Sequence, residues 1–431
     1  MALGKLSVNG RKDGFLLDGK PWFWFADTCW SAFTSITLED WDYYLTRRAE
    51  QGMNVLQINT LPQWDRCTPD LGIWPYASED GVHFDWSAPN PAYWERAREM
   101  CRMAVEHDIR PALVLMWCNY VPGTWGAKLA TMFGAEVMPR DEVRMHVARV
   151  VEYLGEFDPV YVVTGDTDFA GEEGIAYYED ALSAICELAP EQLRCMHINR
   201  GNRSIPEQFV DRLDFYMFQP GHNYEGQPEA WKLPEDFRAN YPKKPMVNSE
   251  PCYEQMGASR NVYWRFTAQD CRASVWSSIL AGASAGVTYG AHGVWNWQTS
   301  RSTGSALGEG FDSPFRWQEC LQFAGVWDFG LIPHVLEHVG VTAADDASAV
   351  EPAQELLDDK REAVRCARAG EKVLVYMPRA TKLKLKMGDA SRARAIDLES
   401  KRVANLPVSV ADGEVRVAQH PFEHDVLIVV E

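Results

Sequence analysis

The stretch VYVVTGD at residues 160–166 is a short apolar run that ends in a carboxylate, Asp166. A second stretch, PMVNSEP at residues 245–251, has the same form and carries Glu250 after its apolar part. Each run has the length and composition of a buried β-strand, and each acid stands at its C-terminal end. In a barrel of parallel strands those ends meet at one face, where active sites are built. The two stretches therefore predict a parallel barrel with two acids at its mouth.

Outward from these two runs, strand and helix patterns alternate along the chain. The predicted barrel strands are residues 22–28, 54–59, 110–117, 160–165, 193–198, 213–218, 245–249 and 285–289. Helical patterns lie at residues 37–51, 93–106, 140–153, 177–188 and 267–281, with a closing helix at 317–327. This alternation predicts an α/β fold of the (β/α)8, or TIM-barrel, class.

The two ends of the chain differ in pattern from the predicted barrel. Asn9-Gly10 and Asp18-Gly19 are hairpin turn signals, which predict a small β-cap over residues 1–20. In the last part of the chain, short apolar runs separated by turn residues replace the helical periodicity. We therefore predict a barrel over residues 21–338 and a small C-terminal antiparallel β-sandwich domain, of structural rather than catalytic role, over residues 339–431.

Composition narrows the classes of partner. The chain has 431 residues, 46% of them hydrophobic, so it can bury a large core. Its formal net charge is −19. Nucleic acids and anionic membrane surfaces favour clustered Lys and Arg, so we expect neither as a partner. The composition does not exclude a homo-oligomer.

The cysteines and the N-terminus indicate a compartment. The ten cysteines lie at irregular spacings and form no CxxC pair, which is typical of reduced thiols rather than of a disulfide framework or a zinc site. Residues 1–10 lack the apolar run of a secretory signal, and no window approaches the length of a membrane span. We therefore expect a cytoplasmic protein.

The two acids at the predicted strand ends match the chemistry of glycoside hydrolysis. Retaining glycosidases hold two carboxyl groups about 5–5.5 Å apart, as acid/base and nucleophile, whereas inverting enzymes hold them about 6.5–9.5 Å apart. An Asp after a strand can instead cap the next helix. Glu is a poor N-cap, and Pro251 follows Glu250 directly. The joint placement of Asp166 and Glu250 therefore favours a catalytic pair.

Other predicted strand ends and loops carry polar or aromatic side chains that suit a sugar. Polar groups bind hydroxyls, and the 17 tryptophans offer faces on which a sugar ring can stack. Each such residue alone could be structural, but a ring of them around one mouth predicts a binding pocket. Among them, Asp27 is a third acid that could bind a hydroxyl or shift the pKa of its neighbours. The candidate substrate-binding residues are Asp27, Trp30, Asn59, Trp64, Trp117, Asn119, Asn199, Gln219, His222, Tyr253, His292 and Trp295.

Other chemistries lack their sequence signatures. The histidines form no HxH or HExxH pattern, so we predict no metal site. The chain has no GxGxxG, P-loop or GxSxG motif. We therefore expect no cofactor.

The segment DGKPWFWFADTCW at residues 18–30 resembles the DGKPFFWLGDTAW-type opening of the apiosidase-like glycoside hydrolases. Similar motifs follow in order: GMNVLQ at 52–57 resembles the family's GFNVIQ, TGD at 164–166 its GGD, and EPCYE at 250–254 its GEPxYE. Thr164 stands where the family usually has glycine. The resemblance covers roughly residues 15–335. It implies a retaining barrel with Asp166 as acid/base and Glu250 as nucleophile, often followed by a C-terminal β-domain.

These features together predict a retaining, exo-acting glycoside hydrolase that cleaves a small glycoside or oligosaccharide by double displacement, with furanosides among the candidate substrates. The long loop at 60–91 can close one end of the cleft and turn it into a pocket. Two alternatives stay open at this point. One is a different TIM-barrel enzyme, such as a lyase or isomerase, and the other is a catalytically inactive, carbohydrate-binding barrel.

Overall fold

A computed structural model describes residues 3–132, 134–259, 262–300 and 313–431 of the chain. The strands before residue 290 are β1 (Leu6–Val8), β2 (Phe15–Leu17), β3 (Lys20–Trp22), β4 (Trp24–Thr28), β5 (Val55–Asn59), β6 (Tyr76–Ala77), β7 (Asp85–Pro89), β8 (Arg110–Trp117), β9 (Val160–Gly165), β10 (Arg194–Cys195), β11 (Tyr216–Phe218), β12 (Met246–Asn248), β13 (Gly257–Ser259), β14 (Val262–Arg265) and β15 (Gly286–Tyr289).

The helices surround these strands or connect them. They are α1 (Ala32–Ser35), α2 (Leu38–Glu50), α3 (Pro91–Glu106), α4 (Trp125–Met132), α5 (Arg140–Leu154), α6 (Gly171–Leu188), α7 (Glu207–Val210), α8 (Glu229–Asn240), α9 (Ala268–Leu280), α10 (Trp317–Cys320), α11 (Gly325–Gly330) and α12 (Ile332–His338). Short 3-10 turns lie at Cys118–Tyr120, Gly155–Phe157, Tyr224–Gly226 and Gln354–Leu356. None of the helices in the described part of the chain combines the length and the apolar composition needed to cross a membrane.

The central sheet has eight strands in the order β10-β9-β8-β5-β4-β15-β12-β11, and each neighbouring pair is parallel. At the seam between β10 and β11, the N–H of Asp214 donates to the carbonyl of Arg194 at 2.9 Å. The N–H of Gly201 donates to the carbonyl of Gln219 at 3.0 Å. The sheet is therefore a nearly closed barrel, and the predicted (β/α)8 fold is confirmed.

Local sequence explains why these elements form. The strands β5, β8 and β9 are buried along their whole length, as expected for strands with the barrel interior on one face and helices on the other. Helix α2 begins after Thr37, whose side chain accepts from the N–H of Asp40 at 3.1 Å. Helix α9 begins with a capping box between Thr267 and Asp270.

Two predicted segments contain more elements in the structure than the sequence pattern indicated. The predicted closing helix at 317–327 is two helices, α10 and α11. The second begins at Gly325, whose N–H donates to a buried carboxylate oxygen of Glu254 at 2.9 Å, so the chain turns there instead of continuing α10. The predicted loop at 60–91 contains the hairpin β6–β7, which its Pro- and Gly-rich composition concealed.

The N-terminal strands β1, β2 and β3 form an antiparallel sheet at the entrance to the first barrel strand. Phe15 of β2 packs on Trp24 of β4 and on Phe215, with ring centroids 6.3 and 5.1 Å away. This small sheet therefore covers apolar surface at the N-terminal end of the barrel.

The C-terminal part contains two antiparallel sheets. Its strands are β16 (Glu351–Pro352), β17 (Arg365–Ala369), β18 (Lys372–Met377), β19 (Leu383–Leu385), β20 (Ala393–Asp397), β21 (Val403–Leu406), β22 (Val408–Ala411), β23 (Glu414–Val417) and β24 (Val426–Val430). The larger sheet has the order β16-β17-β18-β24-β20-β21 and the smaller one β19-β23-β22. The boundary at residue 339 stays a prediction.

The larger C-terminal sheet is buried on both faces. On β18, Val373 and Val375 pack toward the smaller sheet, whereas Leu374 and Tyr376 belong to the core of the barrel. Charged groups join the same interface, where Arg272 of α9 lies 2.7 Å from Asp425. The C-terminal sheets thus cover helix α9.

Candidate active site

Glu250 lies just after β12 and its carboxylate faces three side chains with polar hydrogens. The hydroxyl of Tyr253 donates to Oε1 at 2.7 Å. Nε2 of His222 lies 3.0 Å from the same oxygen. Nε2 of His197 lies 3.0 Å from Oε2, within the range of an ion pair, although its N–H is not aimed straight at that oxygen. The carboxylate is thus held by donors on three different loops.

These contacts decide the charge of Glu250. Burial alone raises the pKa of this carboxyl, because a buried charge loses its hydration. The contacts of His197 and His222 with the carboxylate outweigh burial and hold the pKa well below its usual value. Glu250 is therefore a carboxylate at neutral pH.

His197 is completely buried and connects the two predicted acids. Its Nδ1 accepts from the backbone N–H of Asp166 at 3.1 Å. A neutral imidazole has one donor and one acceptor nitrogen, so its proton lies on Nε2, which faces Glu250. Thr164 fixes the same residue from the backbone side, because its hydroxyl donates to the His197 carbonyl at 2.7 Å. One imidazole ring therefore separates the backbone of Asp166 from the carboxylate of Glu250.

Asp166 follows β9 directly and has a positive φ of 51°. This left-handed backbone is uncommon outside glycine, although Asp adopts it more readily than most residues. Nε2 of Gln219 donates to its Oδ1 at 2.7 Å. The indole of Trp125 donates to its backbone carbonyl at 2.8 Å. Side chain and backbone are therefore both anchored at the barrel mouth.

Aromatic rings line the space beside the carboxylate of Glu250. The indole N–H of Trp30 donates to the Tyr253 hydroxyl at 3.1 Å. The ring centroid of Trp117 lies 5.0 Å from that of Trp30 and 5.9 Å from that of His197, on which it stacks. The structure thus brings the predicted residues Trp30, Trp117 and Tyr253 together around Glu250.

The predicted residues Asn59, Trp64 and Asn119 lie at the same end of the barrel. Asn59 ends β5 and donates to the side chain of Gln63. Trp64 packs edge to face on Trp125, the residue that binds the Asp166 carbonyl, with centroids 6.3 Å apart. Among the residues that the structure describes, the side-chain oxygens of Asn59 and Asn119 are buried without a hydrogen-bond partner. Buried polar atoms of this kind are ready to bind a polar ligand.

Three further predicted residues stand at the rim. Trp295 stacks on His292 at 6.5 Å and donates to its Nδ1 at 3.4 Å. The backbone carbonyl of Trp295 accepts from Ser31, next to Trp30. The backbone N–H of Asn199 donates to the carbonyl of Thr167, next to Asp166, at 2.8 Å. These contacts place the three residues on the loops that follow β10 and β15.

Asp27 is a correction, because the structure does not bring it to the pocket. Its side chain is fully buried, 2.6 Å from the guanidinium of Arg48, and it accepts from the Tyr44 hydroxyl at 2.7 Å. Both partners belong to α2. Side chains alternate between the two faces of a strand, so Asp27 of β4 points outward to the helix layer. It binds neither a hydroxyl in the pocket nor either predicted catalytic acid.

Two residues that position the acids, His197 and Trp125, were not among the predicted site residues. His197 was read as part of the apolar strand 193–198, although a histidine inside such a run is a signal of an inward polar group. Trp125 lies in α4, in a stretch where no element was predicted, and no sequence signal identifies it. Gln219 was predicted to bind substrate, but its amide N–H groups instead donate to Asp166 and to the Ile198 carbonyl.

The long segment 60–91 crosses the mouth on one side. The Tyr120 hydroxyl donates to the Pro62 carbonyl at 2.7 Å. The N–H of Cys67 donates to the carbonyl of Asn296 at 3.0 Å. The segment therefore reaches from the loop after β8 to the loop after β15. Within the described ranges, no group of three or more His, Cys, Asp or Glu side chains is arranged to hold a metal ion.

Comparisons with known proteins find glycoside hydrolases among the proteins that the chain is similar to. The family model described as "Apiosidase-like, catalytic domain" matches residues 12–343. Among solved structures, the chain is similar to a "Glycoside hydrolase" with 21% identity and a TM-score of 0.76, covering 99% of this chain and 97% of that one. A glycoside hydrolase family 5 protein from Bacteroides vulgatus is 20% identical, with a TM-score of 0.77 and coverages of 99% and 93%.

A more distant likeness links the chain to a family 5 mannosidase from Rhizomucor miehei, with 13% identity and a TM-score of 0.51. That comparison covers 78% of this chain and 99% of the mannosidase. At these identities the likenesses show the fold alone. No curated protein sequence matches the chain.

Proposed function

Since the chain belongs to the apiosidase-like family, we propose that it is a retaining, exo-acting glycoside hydrolase that cleaves a small glycoside or oligosaccharide by double displacement. Family and fold support glycosidase activity. One observation carries the mechanism: the carboxylate of Glu250, in contact with two histidines and a tyrosine, is one imidazole ring away from the backbone of Asp166, whose own carboxyl is anchored by Gln219. Two carboxyl groups at one barrel mouth are what glycoside hydrolysis needs.

Glu250 is the proposed nucleophile. A nucleophilic carboxylate must be ionised before substrate arrives, and the lowered pKa of Glu250 meets that requirement. In the first step a Glu250 oxygen attacks the anomeric carbon, and a covalent glycosyl-enzyme forms. The contacts of Tyr253 and His222 with one oxygen, and the position of His197 beside the other, hold the carboxylate in one orientation, which saves the entropy of fixing it in the transition state.

Asp166 is the proposed acid/base. In the first step it gives its proton to the departing glycosidic oxygen, and in the second it takes a proton from the attacking water. Once its proton has gone to the leaving group, the Asp166 carboxylate can act as the base of the second step. Gln219 keeps the carboxyl in place through both steps.

The pocket supports exo action on a small carbohydrate. Segment 60–91 is tied to the loops after β8 and β15 and so closes the mouth on the side of β5. Trp30 and Trp117 offer ring surface next to Glu250. Asn59 and Asn119 offer unpaired oxygens to sugar hydroxyls. A glycone end bound there would be enclosed, with the bond to be broken facing the two acids.

The proposal is tested with a panel of aryl glycosides that includes furanosides, followed by NMR of the first product before it mutarotates. We expect the first product to keep the anomeric configuration of the substrate. Inversion would refute double displacement, and inactivity on every glycoside would count against the assignment as a hydrolase. Glu250→Gln, purified in parallel, is the control for contaminating glycosidases.

A further inference from the structure

An aromatic pair with one exposed ring and one partly buried ring stands at the rim of the barrel mouth. Tyr224 is 56% exposed, and its ring packs edge to face on Trp264, with centroids 5.6 Å apart and an angle of 72°. Tyr224 lies in the 3-10 turn after β11. Trp264 lies in β14, on the hairpin that follows Glu250. Both residues are therefore carried by loops at the C-terminal ends of barrel strands.

The segment that carries Tyr224 also contacts both proposed catalytic acids. Gln219, at its start, donates to Asp166 at 2.7 Å. His222 lies 3.0 Å from Glu250 and stands two residues before Tyr224. This segment therefore leads from contacts with the two acids directly to Tyr224.

The same segment is braced in one conformation. The side chain of Gln227 donates to the carbonyls of Gly221 and Asn223, at 3.1 and 3.0 Å. With its amide oriented to suit its donors, the oxygen of Asn223 accepts from Nη1 of Arg200 at 2.7 Å. Gly221 has φ +75° and packs against the Arg200 side chain, where an added Cβ would lie 2.6 Å from it. Tyr224 is therefore presented on a pre-organised turn, which lowers the entropic cost of binding a ligand.

We propose that Tyr224 and Trp264 form a platform that binds the apolar C–H face of a sugar ring on the leaving-group side of the substrate. The proposal rests on the proposed function, because an acid that protonates the leaving oxygen must lie beside the leaving group. The opposite side is closed by segment 60–91, which follows β5, the strand across the barrel from β11. The leaving group therefore extends over the braced turn.

The test compares two substrates that share the glycone accepted in the panel. One is a disaccharide with a sugar leaving group, and the other is the glycosyl fluoride, whose leaving group has no ring. We expect Tyr224→Ala to raise KM and lower kcat/KM about tenfold for the disaccharide, the scale of one lost aromatic contact. For the glycosyl fluoride, Tyr224→Ala should change kcat/KM less than twofold. Tyr224→Phe should keep the wild-type KM and kcat/KM for both substrates.

Tyr43→Ala is the matched control. Tyr43 is 49% exposed and packs edge to face on Trp317 at 6.1 Å, but it lies on α2 in the outer helix layer. The Tyr43→Ala variant should have wild-type KM and kcat/KM for both substrates. Unchanged disaccharide kinetics in both Tyr224→Ala and Trp264→Ala would overturn the platform while the proposed function stands. An equal loss on the fluoride would also overturn it, and a wild-type enzyme inactive on both substrates would overturn both proposals.

Discussion

Asp27 and Glu250 are two buried acids at the same end of the barrel, and they differ in their partners. Asp27 is paired with Arg48, a permanent cation, and with the Tyr44 hydroxyl. Glu250 meets Tyr253 and two histidines, whose charge depends on pH. Burial raises the pKa of Asp27, whereas its charge raises that of Arg48. Because a guanidinium does not lose its proton, Arg48 is a permanent buried cation beside Asp27.

Strand geometry explains the difference. On β4, Asp27 has the same parity as Phe25, which packs on Phe329 of α11, so both face the helices. Glu250 comes after the last paired residue of β12 and turns toward His197 across the barrel. An acid on the outer face is locked into packing, whereas one on the inner face can meet a substrate. A carboxylate at a strand end therefore predicts a catalytic role only when the face of the strand on which it lies is also known.

The largest effect should come from Glu250→Gln, which sharpens the contrast on the inner side. The amide keeps the size of the side chain but cannot attack carbon, so kcat should fall about 10⁴-fold or more. The variant should still fold, since Tyr253 has an oxygen to bind, but its melting temperature should fall because the stability contributed by the ionised carboxylate is lost. Kinetics on the best panel substrate and calorimetry check both points. A variant with wild-type kcat would show that Glu250 is not the nucleophile.

Asp166→Ala should lose activity in proportion to the leaving group's need for a proton. With a poor leaving group, the rate should fall about 10²–10⁴-fold, the usual contribution of general acid catalysis. With a good leaving group the loss should be much smaller, and azide should restore turnover as a glycosyl azide. Equal losses across a leaving-group series would contradict the acid/base role.

Asp27→Asn should lower stability and leave kcat nearly unchanged, whereas Glu250→Gln acts mainly on kcat. It leaves Arg48 buried without its charge partner, which should cost about 3–5 kcal/mol of unfolding free energy. The folded fraction should keep nearly full kcat, because Asp27 touches neither proposed catalytic acid. Urea unfolding and active-site titration measure the two quantities separately.

The double variant Asp27→Asn/Arg48→Met is the control for that experiment. Removing the cation as well should recover part of the lost stability, since the buried charge is then gone. A single variant as stable as wild type would contradict the stabilising role of Asp27, whereas one that folds normally but loses kcat would show that Asp27 contributes to catalysis.

The barrel could be predicted because its strands are recorded in local patterns. The runs 110–117 and 160–165 coincide with β8 and β9, since a strand buried on both faces is apolar throughout. The hairpin inside the long loop at 60–91 could not be predicted in this way. Strands β6 and β7 form a short, irregular pair whose partners are set by packing rather than by alternation.

The candidate site was only partly readable for a related reason. The position of Asp166 and Glu250 follows from strand ends, but the direction in which a side chain points depends on register. Asp27 was misassigned because one residue of register separates the pocket from the helix layer. His197 was missed because its two contacts join residues 31 and 53 positions away along the chain.

The smallest effect should come from His197, and it tests what keeps Glu250 ionised. His197→Asn can still accept from the Asp166 N–H, as Nδ1 does, but its amide is too short to replace Nε2 at Glu250. His197→Gln is the matched variant, because its longer amide can still donate to Glu250. Loss of the donor should raise the pKa of Glu250, so the acidic limb of kcat/KM should move to higher pH in His197→Asn and less in His197→Gln. A shift of one pH unit lowers kcat/KM about tenfold on that limb and leaves the value near neutrality almost unchanged.

The free energy of unfolding should also depend on pH in the direction set by the lowered pKa of Glu250. A carboxyl with a lowered folded pKa contributes stability above its ordinary value of 4.5, and that contribution is lost as pH falls toward the folded pKa. His197→Asn should therefore lose more unfolding free energy relative to wild type at about pH 7 than at about pH 3. Equal movement of the acidic limb in both variants would show that His197 acts through packing rather than through its Nε2 proton. A pH profile unchanged in both would leave Tyr253 and His222 sufficient to hold the Glu250 charge.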